Sequence, residues 1–548
     1  MNHLEETEQH CCDVLIVGGG GAGLRAAIEA RQRGADVMVV SKTNAGYGNN
    51  TFISKSNIAA SGWGAKEDNH EVHMEDTLKG GCFLNDRGLL SIMTREAGRQ
   101  ISFLRKCGVS LAEQDGKPRV RHVPGHTYPR HVSGINWTGS DLAIPLKQHA
   151  ERSGVRFTNR VFVTRIFTSE NIVTGAAGIS RDGKIHLFKA ACVVLATGGY
   201  SNIFLHTNNA AGITGDGQAL AYELGLPLMD MEFVQFYPTA TGKSGSRILL
   251  YESFLFHGGA TLKNSLGENI LEKHGLNDSK LATRDRMAQA IMQEIIEGLD
   301  VNGSVIMDLS SMPEDRADQF HSLLPGSFAK GIRSFPVSPT THFCMGGVVI
   351  ETNAETKVSG LFAAGEVCAG VHGANRLSGN ALAEIFTIGY VAGKNAAHKA
   401  LGTKSTNMAQ DQIEDEKQRI RGLVSPSGMD ISLLRKRLRT LIWRNAGIVR
   451  NSEMLERALA EIGEIIDLSK ESRVSNPKEL IRLLELTNML TVAEIVCRSA
   501  LLRTESRGSH FRSDFPREDN ENWLANLIAS KAEEGPDFKK IPCLIRPD

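Results

Sequence analysis

The clearest chemical signature is the run Gly18-Gly19-Gly20-Gly21-Ala22-Gly23, in which Gly18, Gly20 and Gly23 satisfy G-x-G-x-x-G between an apolar run, residues 13–17, and a helical stretch, residues 24–33. At this spacing the first glycine makes a tight turn, the second admits a pyrophosphate close to the backbone, and the third lets helix and strand pack closely. The helix N-terminus adds amide donors and partial positive charge. The chemistry is dinucleotide binding. Gly34 ends the helix and residues 35–40 read as the next strand, completing a strand–helix–strand unit. Ser41 and Lys42 stand where an acid usually meets the ribose, so this unit alone leaves FAD and NAD open.

Two further glycine turns carry acids. Residues 191–195 form a buried-strand pattern ending in Ala196, Thr197, Gly198 and Gly199, followed by Asp216 in Thr214-Gly215-Asp216-Gly217; residues 360–364 form another, ending in Gly365 and Glu366. Asp216 and Glu366 suit the ribityl and ribose hydroxyls of an extended FAD. Turns so far apart must be brought together by a discontinuous domain. The expected architecture is α/β: a Rossmann-like FAD-binding domain over 1–225 and 342–406, an inserted α+β capping domain over 226–341, a helical domain over 407–504 and an extended C-terminal tail over 505–548. In the helical part, residues 431–443 and 454–468 place apolar residues at spacings of three and four between charges.

With 548 residues the chain exceeds a single core, which stops growing at roughly 250–300 residues. Lys plus Arg equals Asp plus Glu at 62 each, which gives no field toward nucleic acid or anionic membranes. Nine scattered cysteines hold no Cys-x-x-Cys, hence no disulfide framework, zinc site, iron–sulfur set or haem attachment is expected. The amino terminus lacks signal-peptide order and no apolar run reaches roughly 18 residues, so a cytoplasmic protein without membrane insertion is expected.

Five segments resemble the flavoprotein-subunit family of succinate dehydrogenase and fumarate reductase, which includes L-aspartate oxidase: TGDGQALAYELGLPLMDMEFVQFYPT at 214–239, LATRDRMAQAI at 281–291, PVSPTTHFCMGG at 336–347, GLFAAGEVCAGVHGANRLSGNAL at 360–382 and RTESRGSHFRSDFP at 503–516. With the Gly18 turn they follow in order through most of the chain. The resemblance implies hydride transfer between flavin N5 and a carbon–carbon single or double bond beside a carboxylate. It gives Arg284 the proton-transfer role, with Glu252 in its relay, and gives His342 and Arg376 the grip on a substrate carboxylate. The implied cofactor contacts are Gly18, Gly20, Gly21, Gly23, Ser41, Lys42, Asn49, Asn50, Thr51, Val163, Thr197, Gly198, Asp216, Glu366, Ala381 and Leu382.

Four positions depart from the family pattern. Tyr237 replaces a histidine, Tyr251 a threonine and Leu255 the relay arginine; Arg247 is close in sequence and could compensate. Tyrosines suit a larger or less charged group beside one retained carboxylate, whereas retained C4-dicarboxylate chemistry is the other reading. Asn50 stands where membrane-bound members carry a flavin-linking histidine, so non-covalent FAD is expected. Electrons need a second carrier, and an iron–sulfur subunit is the expected partner. An L-aspartate oxidase-like enzyme and an electron-transfer subunit with a decayed substrate site are the alternatives.

Overall fold

The computed structural model describes residues 6–242, 247–250, 253–278, 282–322, 324, 331–403, 407–425 and 430–543. The first strand, β1, spans Thr7–Val17 and starts well before residue 13. Its leading half is mostly exposed, and it forms because backbone pairing with a partner strand begins at Thr7 opposite Ile185. The glycine turn follows, then α1 (Gly21–Gln32) and the fully buried β2 (Val37–Ser41). β3 (Arg156–Asn159), β4 (Val161–Ser169), β5 (Ile172–Ser180) and β6 (Ile185–Leu195) complete a sheet in the order β3-β2-β1-β6-β5-β4. β3, β2, β1 and β6 run parallel, while β5 and β4 return antiparallel. The later strand Leu361–Ala363 pairs parallel with the carboxyl end of β6. All three glycine turns therefore emerge at the carboxyl edge of one sheet, where open α/β folds bind ligands.

α2 (Asp216–Glu223) leads out of this domain. The cap that follows is a five-stranded antiparallel sheet of β7 (Val234–Thr241), β8 (Ile248–Leu249), β9 (Thr261–Lys263), β10 (Val305–Asp308) and β11 (Ser334–Cys344), in the order β8-β7-β11-β10-β9. Helix α3 (Arg284–Ile296) packs on β7 and β11. The cap has its own apolar core, including Leu262, Ile291, Met307, Phe320 and Phe335.

The chain then re-enters the first domain, where α4 (Asn380–Gly402) packs along α1. Four helices follow: α5 (Gln410–Gly422), α6 (Ile431–Asn445), α7 (Ser452–Glu471) and α8 (Pro477–Leu502). Asn451 and Asn476 cap α7 and α8 by accepting from the amides of Met454 and Glu479, and Pro477 occupies a first-turn position where no amide is needed. Among the described residues no helix is long and apolar enough to cross a membrane.

The segment after 505 is not an extended tail. Ala525, Leu527 and Ala529 alternate with less buried residues, a period-two signal, and β12 (Ala525–Ala532) pairs with β13 (Gly535–Pro542) as a hairpin. β12 also pairs with Leu228–Met229 at the cap boundary. Arg503 anchors this end with all of its side chain buried, bonding Glu232, Glu505 and the carbonyl oxygens of Trp523 and Ala525.

Candidate functional site

Between the carboxyl edge of the sheet and the cap lies a cavity of about 830 Å³. That is within the range of ligand pockets, roughly 300–1,000 Å³. At one end Gly18 has φ +120°, and a Cβ there would lie 2.1 Å from the Ala196 carbonyl oxygen. Gly23 is equally constrained, its virtual Cβ 1.9 Å from the Gly18 oxygen, yet it does not line the cavity: it serves the helix–strand contact. Gly18, Gly20 and Gly21 do line it, and the Gly21 amide donates to Thr51 Oγ1 at 3.0 Å.

Ser41, Lys42, Asn49, Asn50, Thr51, Val163, Thr197, Gly198, Asp216, Glu366, Ala381 and Leu382 all face the same space. Thr197 Oγ1 is buried without a hydrogen-bond partner, an orphan suited to a polar ligand. Asp216 is less available than its turn suggests. One oxygen accepts from Lys42 Nζ at 2.5 Å and the other from Thr214 at 2.9 Å and Asn488 at 3.1 Å. Lys42 also donates to Glu485 at 3.0 Å; although burial disfavours its charge, Asp216 and Glu485 hold it above the usual lysine range.

Asn50 is fully engaged. Its amide nitrogen donates to Asn209 and to Glu366 at 3.2 Å, and its oxygen accepts from the Ala210 amide at 3.0 Å. This is a clamp between three loops with no nucleophilic character. Acid or heat denaturation is therefore expected to release all bound flavin into the supernatant, as measured by absorbance after precipitation; colour retained on the polypeptide would refute non-covalent attachment.

Burial pushes the Glu366 carboxyl up to about 7, against its ordinary 4.5, with bonds from the Cys344 amide and Asn50 only partly offsetting it. A carboxyl whose folded value is raised takes up a proton on folding between those limits, so the flavin-free protein loses stability as pH rises through that window. Glu366→Gln removes this loss. Comparing denaturant midpoints at about pH 5 and about pH 8, the wild type should fall further than the variant; equal falls would refute the buried carboxyl.

The opposite end carries cations. Arg284, Arg376, His342 and Tyr237 converge there. The Arg284 guanidinium carbon lies 4.8 Å from the Tyr237 ring centroid, and that ring meets His342 edge-on at 5.6 Å. Arg284 occupies the first turn of α3, at the positive end of the helix dipole. Arg376 donates to Gln235 Oε1 at 2.8 Å and to the Leu377 carbonyl at 3.1 Å, while its buried Nε has no partner. Burial, reinforced by Arg284, lowers Arg376 to about 9. Burial likewise holds His342 well below its ordinary value, with Arg376 and Arg284 adding to the effect, so its imidazole is neutral. Nδ1 of His342 lies 3.2 Å from Asn208 Oδ1, which favours the proton on that nitrogen.

Arg247 also lines the cavity. Its Nη2 donates to the Ala240 carbonyl and Ser338 Oγ, both at 2.7 Å, and Nη1 to His206 at 3.2 Å. None of these partners is charged, and burial lowers the guanidinium to about 10. Leu255 is placed elsewhere. It does not line the cavity but packs in the cap core beside Phe254. Glu252 and Tyr251 lie outside the described residues. Residues not anticipated include Asn208, Asn209, Lys55 and Ser378, which line the wall without a motif of their own.

Residues 13–382 match the FAD binding domain family, and residues 435–546 match the fumarate reductase flavoprotein C-terminal family. The chain is 37% identical to one chain of the fumarate reductase (CoM/CoB) of Methanothermobacter marburgensis, over 97% of this chain and 99% of that one. It belongs to the fumarate reductase/succinate dehydrogenase flavoprotein family. The fumarate reductase flavoprotein subunit of Escherichia coli is 30% identical over 95% of this chain and 92% of its own. Among solved structures, an Escherichia coli quinol fumarate reductase chain superposes with a TM-score of 0.89 at 29% identity, covering 98% of both chains. Mycobacterium smegmatis Sdh1 gives 0.87 at 32% identity, covering 98% of this chain and 94% of that one. This family member is an FAD-dependent oxidoreductase, and the glycine cradle, the orphan Thr197 hydroxyl and the cavity volume fit that cofactor.

Proposed function

We propose that this flavoprotein reduces the carbon–carbon double bond of a fumarate-like dicarboxylic acid, with electrons delivered by an iron–sulfur partner chain. Bound FAD supplies the two-electron hydride chemistry. His342 and Arg376 hold the first carboxylate, Arg offering a planar two-pronged donor set. Because Nδ1 of His342 faces Asn208, a carboxylate oxygen at Nε2 requires either a second proton on the ring or a reversed Asn208 amide. Arg284 delivers a proton to the carbon next to the one that accepts hydride. Arg284 stands in the first turn of α3 with its guanidinium over the Tyr237 ring.

Arg247 meets the second carboxylate in place of the family's histidine and threonine, and the Tyr237 ring lies against Arg284. The observation that carries this reading is that Arg247, Arg284 and Arg376 all line the cavity, whose sole lining carboxylates among the described residues are Asp216 and Glu366. A lining richer in arginines than in carboxylates fits a dianion better than a neutral or bulky aromatic group. The lack of any Cys-x-x-Cys in the chain supports a separate iron–sulfur subunit.

A panel of enoic acids offered to the dye-reduced holoprotein tests the proposal. Fumarate should reoxidise the dye, with monocarboxylic crotonate at least ~10-fold poorer in kcat/KM for want of one charge-assisted contact. A flavin-loaded protein that reoxidises with none of the panel would overturn it, and so would one that prefers bulky aromatic acids.

A further inference from the structure

The leading half of β1 carries a cluster far from the cavity. Glu8 and His10 are two residues apart and so share one face of the strand, Glu8 directly opposite His186 on β6. His10 Nε2 lies 3.0 Å from His186 Nδ1, and the two rings stack with 6° between their planes. Phe188 stacks against both from the same face, at 4.8 Å from His10 and 6.1 Å from His186, which fixes their orientation. One Glu8 carboxylate oxygen stands 3.6 Å from His10 Nε2 and the other 3.9 Å from His186 Nδ1.

We propose that Glu8, His10 and His186 form a binding site for one divalent transition-metal ion of the zinc class, which ties the amino end of β1 to β6. Imidazole nitrogens and a carboxylate oxygen bind zinc at about 2.0–2.2 Å, so ligand atoms on a tetrahedron stand about 3.3–3.5 Å apart. The histidine nitrogens at 3.0 Å and the His10–Glu8 pair at 3.6 Å bracket that value, and a small rotation of the Glu8 carboxylate brings one oxygen within reach of both rings. The site holds three protein ligands and leaves the fourth position to water, which reaches it because Glu8 is 54% exposed while the histidines are 12% and 8% exposed.

The nearby cations are each paired with an acid. Lys184 is paired with Glu6 and Arg156 with Asp36. Exposed Cys11, next in sequence, alternates onto the other face of the strand. From His10 to Val17 the strand advances about 23 Å at ~3.3 Å per residue, which separates the metal from the redox chemistry. Its role is to secure the mostly exposed leading half of β1.

The test uses the flavin-loaded full chain, dialysed against chelator and titrated with Zn²⁺ while bound metal and thermal midpoint are measured. One equivalent should bind and raise the midpoint, reversibly with EDTA. His10→Ala and His186→Ala should each weaken binding at least ~10-fold and abolish the rise. Surface variant Glu8→Gln should weaken it with unchanged circular dichroism, and Cys11→Ser should bind as the wild type does. Flavin content and dye-linked turnover should stay at wild-type levels in all four. Equal Zn²⁺ binding by the wild type and the histidine variants would overturn the proposal, as would loss of binding in Cys11→Ser or no binding by a folded wild type.

Discussion

Arg284→Lys should retain flavin and lower fumarate turnover by about 10²–10⁴-fold, the usual contribution of a positioned proton donor. The variant keeps a positive charge at the first turn of α3, so the carboxylate end of the cavity stays cationic and KM should move by no more than a few-fold. What it loses is the planar guanidinium set 4.8 Å from the Tyr237 ring. A lysine amine sits on a shorter, flexible stem, is more strongly hydrated and cannot span the same positions. An effect confined to kcat assigns Arg284 to the transition state, because an interaction made only there lowers kcat and kcat/KM together. The measurement is steady-state dye oxidation against flavin content by absorbance. Turnover within about threefold of wild type would remove Arg284 from the proton-transfer role.

The cofactor end of the cavity was legible in the sequence because backbone geometry demands particular residues there. Gly18 and Gly23 have no room for a Cβ, and such demands leave a spacing that can be read without coordinates. Asp216 was legible as a turn acid but not as the partner of Lys42 and Asn488, because those contacts join the end of β2 and the middle of α8 across hundreds of residues. The length of β1 was hidden for a similar reason. Its exposed leading half has no apolar pattern and exists through pairing with β6. Leu255 was expected at the substrate pocket from its place in the family pattern, yet an apolar side chain beside Phe254 gains more by joining the cap core. Arg247 could be named as a nearby cation but not placed, since its position depends on β7 and β11 presenting Ala240 and Ser338 together.

Arg247→Leu should raise KM for fumarate about 10- to 150-fold, the loss of a charge-assisted contact of ~1.5–3 kcal/mol, while kcat/KM for crotonate changes little. The argument rests on what holds Arg247. The Ala240 carbonyl, Ser338 hydroxyl and His206 ring fix the guanidinium without neutralising it, and burial already lowers it to about 10. A fixed, uncompensated buried cation gains most from an incoming anion, and one carboxylate of a dicarboxylic acid supplies it. Leucine fills similar space with no charge, so preference for the dicarboxylate over the monocarboxylate should collapse toward unity. Arg247→Lys should restore part of that preference, since it returns a point charge without the two-pronged geometry. A relay role for Arg247 predicts a different pattern: kcat would fall for fumarate and crotonate alike with KM unchanged, because both substrates need the same proton. The ratio of the two substrates' kcat/KM values in wild type, Arg247→Leu and Arg247→Lys therefore separates a carboxylate clamp from a proton relay, and an unchanged ratio in both variants would exclude the clamp.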